Sequence, residues 1–168
     1  MARMAQACET EGATEVRIAG SDAEAADVLA ARRAVLPALS RLEPLTILED
    51  ATVPRSRIAE MVARIQEIAE REGLMIGTFG HAGDGNLHPT VVLDAGDTAA
   101  VERAHAAFDE IFAIAIEMGG SITGEHGVGL VKLRHLERQL GAGQLALLRR
   151  IKHAFDPNGI LNPGKLGS

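Results

Sequence analysis

The chain has 168 residues with a formal net charge of −6 at pH 7, and 46% of them are hydrophobic but only 2% aromatic. This composition excludes a disordered chain, and the negative charge and scarce aromatic side chains argue against nucleic acid or an anionic membrane as partner. A single cysteine, Cys8, excludes an intramolecular disulfide. The N-terminus lacks the apolar core of an export signal, and no apolar run reaches the about eighteen residues of a membrane span, so we expect a cytoplasmic protein.

The first part of the sequence predicts two strands separated by a helix. TEVRIAG (14–20) alternates apolar and polar residues, which is typical of a half-buried strand. Ser21 and Glu24 have the spacing of a capping box and predict the start of a helix that Pro37 bends or ends. LTILED (45–50) predicts the second strand.

The middle of the sequence predicts two further helices and a strand pair. Residues 54–73 carry apolar residues at helical spacing and end in a glycine. LMIGTF (74–79) and LHPTVVL (87–93) predict strands on either side of a glycine-rich loop. Asp97 predicts the N-cap of an alanine-rich helix that ends at the glycines 119–120.

The last third predicts a short strand at 121–123, helices over 130–140 and 143–155, and an extended tail over 156–168. The order of all these elements predicts an α+β fold, in which helices cover one face of a largely antiparallel sheet. The C-terminal helices and the tail are additions to that sheet.

Two glycine-rich segments carry the candidate chemistry. GHAGDGNLHP places His81 and His88 at the two sides of a loop between predicted strands, so both imidazoles can point to one position. GEHGVG adds Glu125, and two imidazoles with one carboxylate can bind a divalent cation and leave positions open for substrate or water. His126 would then be a base beside the ion. The same residue types also fit an ordinary hairpin turn with solvated histidines.

Three segments resemble the C-terminal part of FAD-linked oxidases of the vanillyl-alcohol oxidase type: GHAGDGNLHP, GGSITGEHGVGLVKLRHLERQLG and IKHAFDPNGILNPGKL. The nearest branch contains the glycolate oxidase flavin subunit, D-lactate dehydrogenases and D-2-hydroxyglutarate dehydrogenase. The resemblance extends over nearly the whole chain, from GATEVRIAG onward. It implies a ferredoxin-like substrate domain, the cap, which lies over a flavin domain.

The resemblance also implies the metal and catalytic residues. His81, His88 and Glu125 match the ligands of a divalent metal, and zinc, manganese and iron all accept such a ligand set. His126 matches the histidine that deprotonates the substrate hydroxyl while a hydride passes from C2 to the FAD. The implied reaction is the oxidation of a small D-2-hydroxy acid, glycolate or D-lactate, to the 2-oxo acid.

Two further site residues are implied. Arg32 matches an arginine that binds the substrate carboxylate, with the neighbouring Arg33 as the alternative, and Asn162 matches a tail residue close to the flavin ring. The hydroxyglutarate branch has polar residues at three positions that are different here, and this difference favours glycolate or lactate. These positions are Leu36, Leu48 and Thr90.

The domain organisation follows from the same resemblance. Residues 1–168 are expected to be a partial cap domain that is inactive by itself, because the FAD-binding domain is absent from this chain. Residues 1–13 would be the stump of a truncated helix, and the tail 156–168 would reach the flavin domain. The expected partners are the FAD-binding domain, a hydroxy-acid substrate and an electron-transfer subunit. A second copy could also pair with an exposed sheet edge.

Two alternatives remain at this point. The chain could be a self-standing, metal-dependent module that binds hydroxy acids without redox activity. The two loops could also be structural relics whose metal site forms only against the flavin domain.

Overall fold

The computed structural model describes residues 2–165, and the chain divides into one unit over residues 1–38 and a second over residues 39–168. The elements, in chain order, are α1 (Ala2–Thr10), α2 (Asp22–Arg33), α3 (Val35–Leu39), β1 (Leu45–Leu48), β2 (Ala51–Thr52), a 3₁₀ turn (Arg55–Arg57), α4 (Ile58–Glu72), β3 (Met75–His81), β4 (Asn86–Leu93), α5 (Thr98–Glu117) and α6 (Leu133–Phe155).

The first unit consists mainly of the exposed helices α1 and α2. The strand predicted over 14–20 is wrong, because this segment is irregular and pairs with no strand within residues 2–165. The capping box is formed: Ser21 Oγ accepts a hydrogen bond from the Glu24 amide at 3.2 Å, and the Glu24 carboxylate accepts one from the Gly20 amide at 2.6 Å. Within the predicted stump 1–13, α1 is helical and Met1 lies outside the described residues.

The second unit is built on an antiparallel sheet with β4 at its centre. β3 pairs along one side of β4, while β1 and β2 pair along the other. Leu48 pairs with Thr90 and Ala51 with Leu87, so one register runs through β1 and β2 and places Asp50 opposite His88. Among the described residues β3 pairs with β4 alone, and pairing of its outer edge with a second copy stays a prediction.

The sheet has an apolar face and a polar face, because successive side chains of a strand point to opposite sides. Leu87, Val91 and Leu93 of β4 join the hydrophobic core with α4 and α5. The alternate positions carry Asn86, His88 and other residues on the second face, and every residue of β4 is buried. The core residues from the two helices include Met61, Ile65, Ile68, Ala104, Phe108, Ile111, Phe112 and Ala115.

Local signals in the sequence define both core helices. α4 ends at Gly73, whose φ of 60° is the left-handed conformation that suits glycine. α5 begins after Asp97, whose side chain accepts a hydrogen bond from the Ala100 amide at 2.9 Å. Helices on one face of an antiparallel sheet confirm the predicted α+β fold.

The C-terminal part follows the predictions with two differences. The predicted strand at 121–123 is reduced to a single bridge between Ser121 and Thr52. The two predicted helices are the two parts of α6, which non-helical backbone at Gly141 divides, and the first part begins at Leu133 rather than at residue 130. The tail over 156–165 has no helix or strand, and residues 166–168 of the predicted tail lie outside the described part. No helix within residues 2–165 has the length and apolar character that crossing a membrane requires.

Candidate metal centre

Three side chains converge on the polar face of the sheet. His88 lies on β4, His81 ends β3, and Glu125 lies in the segment that follows the bridge at Ser121. Oε1 of Glu125 is 3.0 Å from Nε2 of His88 and 3.4 Å from Nε2 of His81. The three potential ligand atoms all lie within 4.8 Å of one another. The structure therefore brings together the three residues that the sequence predicts as metal ligands.

The two histidines lie diagonally across β3 and β4 and are not paired directly with each other. His88 pairs with Phe79, and His81 pairs with Asn86. Since Asn86 and His88 lie two residues apart on one strand, all four side chains share the polar face. The short turn between the strands is closed by the amides of Asp84 and Gly85, which both donate to the carbonyl oxygen of His81 at 3.0 Å.

The geometry fits a divalent cation. Bonds of about 2.1 Å at tetrahedral or octahedral angles separate neighbouring ligand atoms by about 3.0 to 3.4 Å. The two distances from Glu125 to the histidines fall in this range. Nε2 of His88 is the nitrogen close to Glu125, while Nδ1 of the same ring is buried and has no hydrogen-bond partner among the described residues. The described part of the chain thus leaves Nδ1 without the acceptor that usually orients a metal-binding histidine.

Burial favours the metal-binding form of His88. Its side chain is only 5% exposed, and this burial is the main cause that lowers the pKa of the imidazole. The Glu125 carboxylate opposes the shift, while the neighbouring His126 and His81 add to it. A lowered pKa keeps the ring neutral near pH 7, and a neutral imidazole is the form that binds a cation.

A chain of hydrogen bonds orients Glu125. Thr52 Oγ1 donates to Oδ1 of Asn86 at 3.1 Å, and Nδ2 of Asn86 donates to Oε1 of Glu125 at 3.4 Å. The approach of the two segments requires Gly124, because a Cβ there would lie 2.5 Å from the Asn86 side chain. Asn86 is therefore a candidate site residue, through its contact with Glu125, that the sequence did not identify.

Asp50 is a second residue that sequence reasoning missed. Its Oδ2 accepts hydrogen bonds from the amides of Gly124, Glu125 and His126, at 2.8, 2.7 and 3.0 Å. Its Oδ1 accepts a hydrogen bond from the ammonium group of Lys132. The only sequence signal was a carboxylate at the end of the predicted strand LTILED.

The Asp50 carboxylate and the Lys132 ammonium group form a buried ion pair. Burial by itself would raise the pKa of Asp50, but the amides of Glu125, His126 and Gly124 together with Lys132 outweigh it and hold the pKa well below its ordinary value. Asp50 is therefore ionised over the whole neutral range.

His126 lies next to the ligand cluster without joining it. Its ring stacks on the ring of His88, and its Nδ1 is 3.6 Å from Oδ1 of Asp50, which is too long for a hydrogen bond. The side chain is 38% exposed, so a small molecule can reach the ring. This position agrees with the predicted base beside a cation.

The two remaining predicted site residues lie elsewhere in the chain. Arg32 is exposed in the last turn of α2, in the first unit, next to Arg33. Asn162 lies in the tail with a left-handed φ of 48°, and it lines a cavity of about 480 Å³ with Val128 and Gly129. The roles predicted for Arg32 and Asn162 stay predictions.

A small cavity of about 220 Å³ adjoins the ligand cluster. Two of the three candidate ligand residues, His81 and Glu125, contribute to its lining. A molecule that entered this cavity would lie against the candidate ligands.

Comparison with known proteins gives a consistent set of relatives. Residues 1–166 match the family described as FAD linked oxidases, C-terminal domain. The chain is 51% identical over 166 residues to the glycolate oxidase subunit GlcD of Bacillus subtilis. This alignment covers 99% of the chain and 35% of that protein. It is 36% identical over 154 residues to the glycolate oxidase subunit GlcD of Escherichia coli K12, with 92% and 31% covered.

A D-lactate dehydrogenase of Anaerostipes hadrus is 37% identical over 156 residues, with 92% of the chain and 33% of that protein covered. The chain thus spans about a third of the length of these curated relatives.

Proposed function

Because the chain belongs to the FAD-linked oxidases, as their C-terminal domain, we propose that it is the substrate- and metal-binding part of a flavoenzyme that oxidises a small D-2-hydroxy acid. The convergence of His81, His88 and Glu125, with His126 stacked beside them, is the observation that carries this proposal. The relatives named as glycolate oxidase subunits and as a D-lactate dehydrogenase support glycolate or D-lactate as the substrate.

The work is divided between this chain and a part of the protein outside it. Since the chain spans about a third of its relatives, we assign FAD mainly to an FAD-binding domain and regard residues 1–168 as a partial cap domain. The tail, with Asn162, would reach the flavin. In this arrangement the chain alone binds substrate and metal but does not turn over.

The chain's own residues hold the substrate and remove one proton. A divalent cation bound by His81, His88 and Glu125 would supply Lewis-acid polarisation and lower the pKa of the substrate hydroxyl. His126 accepts the hydroxyl proton through Nε2, because its Nδ1 faces the Asp50 carboxylate.

Bound FAD would supply the acceptor for the hydride, so that the C2–H bond would break as the C2=O bond forms. The product is the 2-oxo acid, with the hydroxyl proton on His126. Arg32 is assigned to the substrate carboxylate, for which a guanidinium offers two parallel hydrogen bonds.

Uncharged side chains near the centre support a short substrate. Leu48 and Thr90 face each other across β1 and β4, one row from His88, and Thr90 is fully buried. The Thr90 hydroxyl is within 3.3 Å of the carbonyl oxygen of His88, so it is engaged by its own strand. These positions offer no charged partner for a second carboxylate.

The first experiment measures metal content and affinity of the chain, with zinc, manganese and iron(II) as probes. We expect one ion per chain in the wild type and loss of binding in His81→Ala and Glu125→Ala. His105→Ala, an exposed histidine on α5, is the matched control and keeps the ion. Unchanged affinity in the two ligand variants would contradict the proposed site.

The second experiment uses the full-length protein and follows the bleaching of oxidised flavin by glycolate and D-lactate. Reduction by either acid that is lost in Glu125→Ala supports the proposed oxidation. Metal-dependent binding of the acids without flavin reduction would support a binding module instead.

A further inference from the structure

The segment that carries Glu125 and His126 has little regular structure of its own. It runs from the bridge at Ser121 to the start of α6 at Leu133 and contains three glycines, Gly124, Gly127 and Gly129. Such a segment does not fix the direction of its side chains through helix or sheet hydrogen bonds. Its geometry has to come from contacts with the rest of the unit.

The side chain of Asp50 supplies these contacts at the start of the segment. Three successive amides, those of Gly124, Glu125 and His126, donate to the same oxygen, Oδ2. Consecutive N–H groups that point at one anion form a backbone nest, and the nest determines the orientation of each peptide unit. The directions in which the side chains of Glu125 and His126 leave the backbone are thereby set by one carboxylate.

Lys132 supplies the matching contact at the end of the segment. Its ammonium group donates to Oδ1 and, at 2.9 Å, to the carbonyl oxygen of Asp50, and it lies 3.1 Å from the Glu49 carboxylate. It also lies over the ring of Phe112, 5.1 Å from the centroid. Since Lys132 is only 2% exposed, its charge needs these partners.

We propose that Asp50 and Lys132 are positioning residues for the metal centre, which fasten both ends of the segment so that Glu125 reaches His88 and His81 while His126 stacks on His88. This inference rests on the proposed function, because it gives the pair its role through those side chains.

Only a carboxylate has acceptors for both halves of this arrangement. Each oxygen of Asp50 receives donors from a different direction, the amides on one side and the ammonium group on the other. Asparagine has a single acceptor oxygen, so its NH₂ group would face either the three amides or Lys132. Asparagine in Asp50→Asn has almost the same shape as aspartate. Its NH₂ group would nevertheless face another donor, either the three backbone amides or the Lys132 ammonium group.

The same reasoning gives a compensating variant. In Asp50→Asn with Lys132→Gln, the asparagine oxygen can accept from the amides while its NH₂ group donates to the glutamine oxygen. The hydrogen bonds return although both charges are gone. The double variant is therefore expected to fold and to restore the segment.

Asp156 provides a matched control elsewhere in the chain. It is buried, it is paired with Lys152, and it accepts hydrogen bonds from the amides of Ile160 and Leu161 at 2.9 Å each. Asp156→Asn removes the same kind of interaction at a place that contacts none of the three ligands.

The test combines two readouts on the chain. Amide hydrogen exchange at residues 124–126 without metal reports the position of the segment, and zinc affinity, with the Co²⁺ absorption spectrum, reports the ligand geometry. In Asp50→Asn we expect loss of exchange protection at these amides and zinc binding weaker by about tenfold or more. The double variant should recover most of both, and Asp156→Asn should keep wild-type affinity and spectrum.

Two results would overturn the proposal: unchanged protection at residues 124–126 in Asp50→Asn, or an equal loss of zinc affinity in Asp156→Asn. If neither the wild-type chain nor the full-length protein binds metal, the metal part of the proposed function is refuted. Even then, the exchange of the three amides still decides whether Asp50 positions the segment.

Discussion

The imidazole ring of His126 stacks on that of His88, with the centroids 5.2 Å apart and the ring planes inclined by 18°. His88 is a proposed metal ligand and His126 is the proposed base, so the ring that would accept the proton lies directly against a ring that would bind the metal. Of these two rings, that of His88 lies next to the Glu125 carboxylate, with Nε2 3.0 Å from Oε1. The two roles can therefore be separated by substitution.

Replacing His126 by alanine should remove proton transfer and leave the metal in place. General base catalysis contributes about 10² to 10⁴ to a rate, so we expect flavin reduction by the hydroxy acid to slow by that factor in the full-length protein. Stopped-flow flavin absorbance and metal content measure the two effects. His105→Ala serves as the control, and loss of the metal in His126→Ala would show that His126 is a ligand instead.

Gly124→Ala should disturb Glu125 through Asn86. The added Cβ would lie 2.5 Å from the Asn86 side chain, which donates to the Glu125 carboxylate. We expect metal affinity to fall by about tenfold, as for other residues that orient a ligand. Calorimetric titration with zinc measures it. Gly83→Ala is the matched control. Gly83 lies in the turn between β3 and β4, and a Cβ there meets nothing within 4 Å.

The stability of the chain should depend on Asp50 in acid. Its pKa is well below the unfolded value of about 3.9, so its ionisation stabilises the folded state above that pH, and this contribution is lost as the pH falls towards the lowered pKa. The wild type should exceed Asp50→Asn in free energy of unfolding at pH 7, and the difference should shrink below about pH 4.

Urea unfolding followed by circular dichroism between neutral and acidic pH measures this difference. The pKa of Asp156 is also lowered, by Lys152 and by the Leu161 and Ile160 amides. Because Asp156 is present in both the wild type and Asp50→Asn, its contribution to the pH dependence cancels in the difference between them. A difference that stays constant with pH would mean that Asp50 contributes through shape rather than charge.

Two phenylalanines provide a test of the core. Phe112 is 1% exposed and lies under Lys132, whereas Phe155 at the end of α6 is 82% exposed. Phe112→Ala should lower the free energy of unfolding by about 3 to 5 kcal/mol, and Phe155→Ala by less than about 0.5 kcal/mol. Chemical denaturation of the two variants checks both values. Equal losses would contradict the assignment of the core.

The elements that the sequence predicted correctly have local causes. α4 and α5 have apolar residues at helical spacing, and Gly73 and Asp97 mark ends that need no distant partner. The strand predicted at 14–20 is wrong for the complementary reason. Alternation is a local pattern, but a strand needs a neighbour for its N–H and C=O groups, and this segment has none in the part of the chain that the structure describes.

The same difference between local signals and distant contacts explains which residues of the candidate site could be predicted from the sequence. The glycine-histidine segments are conspicuous in the sequence, and the structure brings His81, His88 and Glu125 together as predicted. Asp50 and Lys132 carry no such signal. Their role arises from contacts across 82 positions of sequence. Lys132 in particular resembles a solvated helix residue until the fold buries it.

The central strand β4 is buried along its whole length and contributes residues to both the core and the candidate centre. The register of this one strand therefore determines the geometry of both. If β4 slipped by one residue, Asn86 and His88 would turn into the apolar core, and Leu87 and Val91 would turn out of it. Such a slip costs hydrophobic burial and ligand geometry in the same step. We therefore expect no well-folded state with a slightly misaligned centre, and metal binding at the candidate centre would be a sensitive indicator of correct folding.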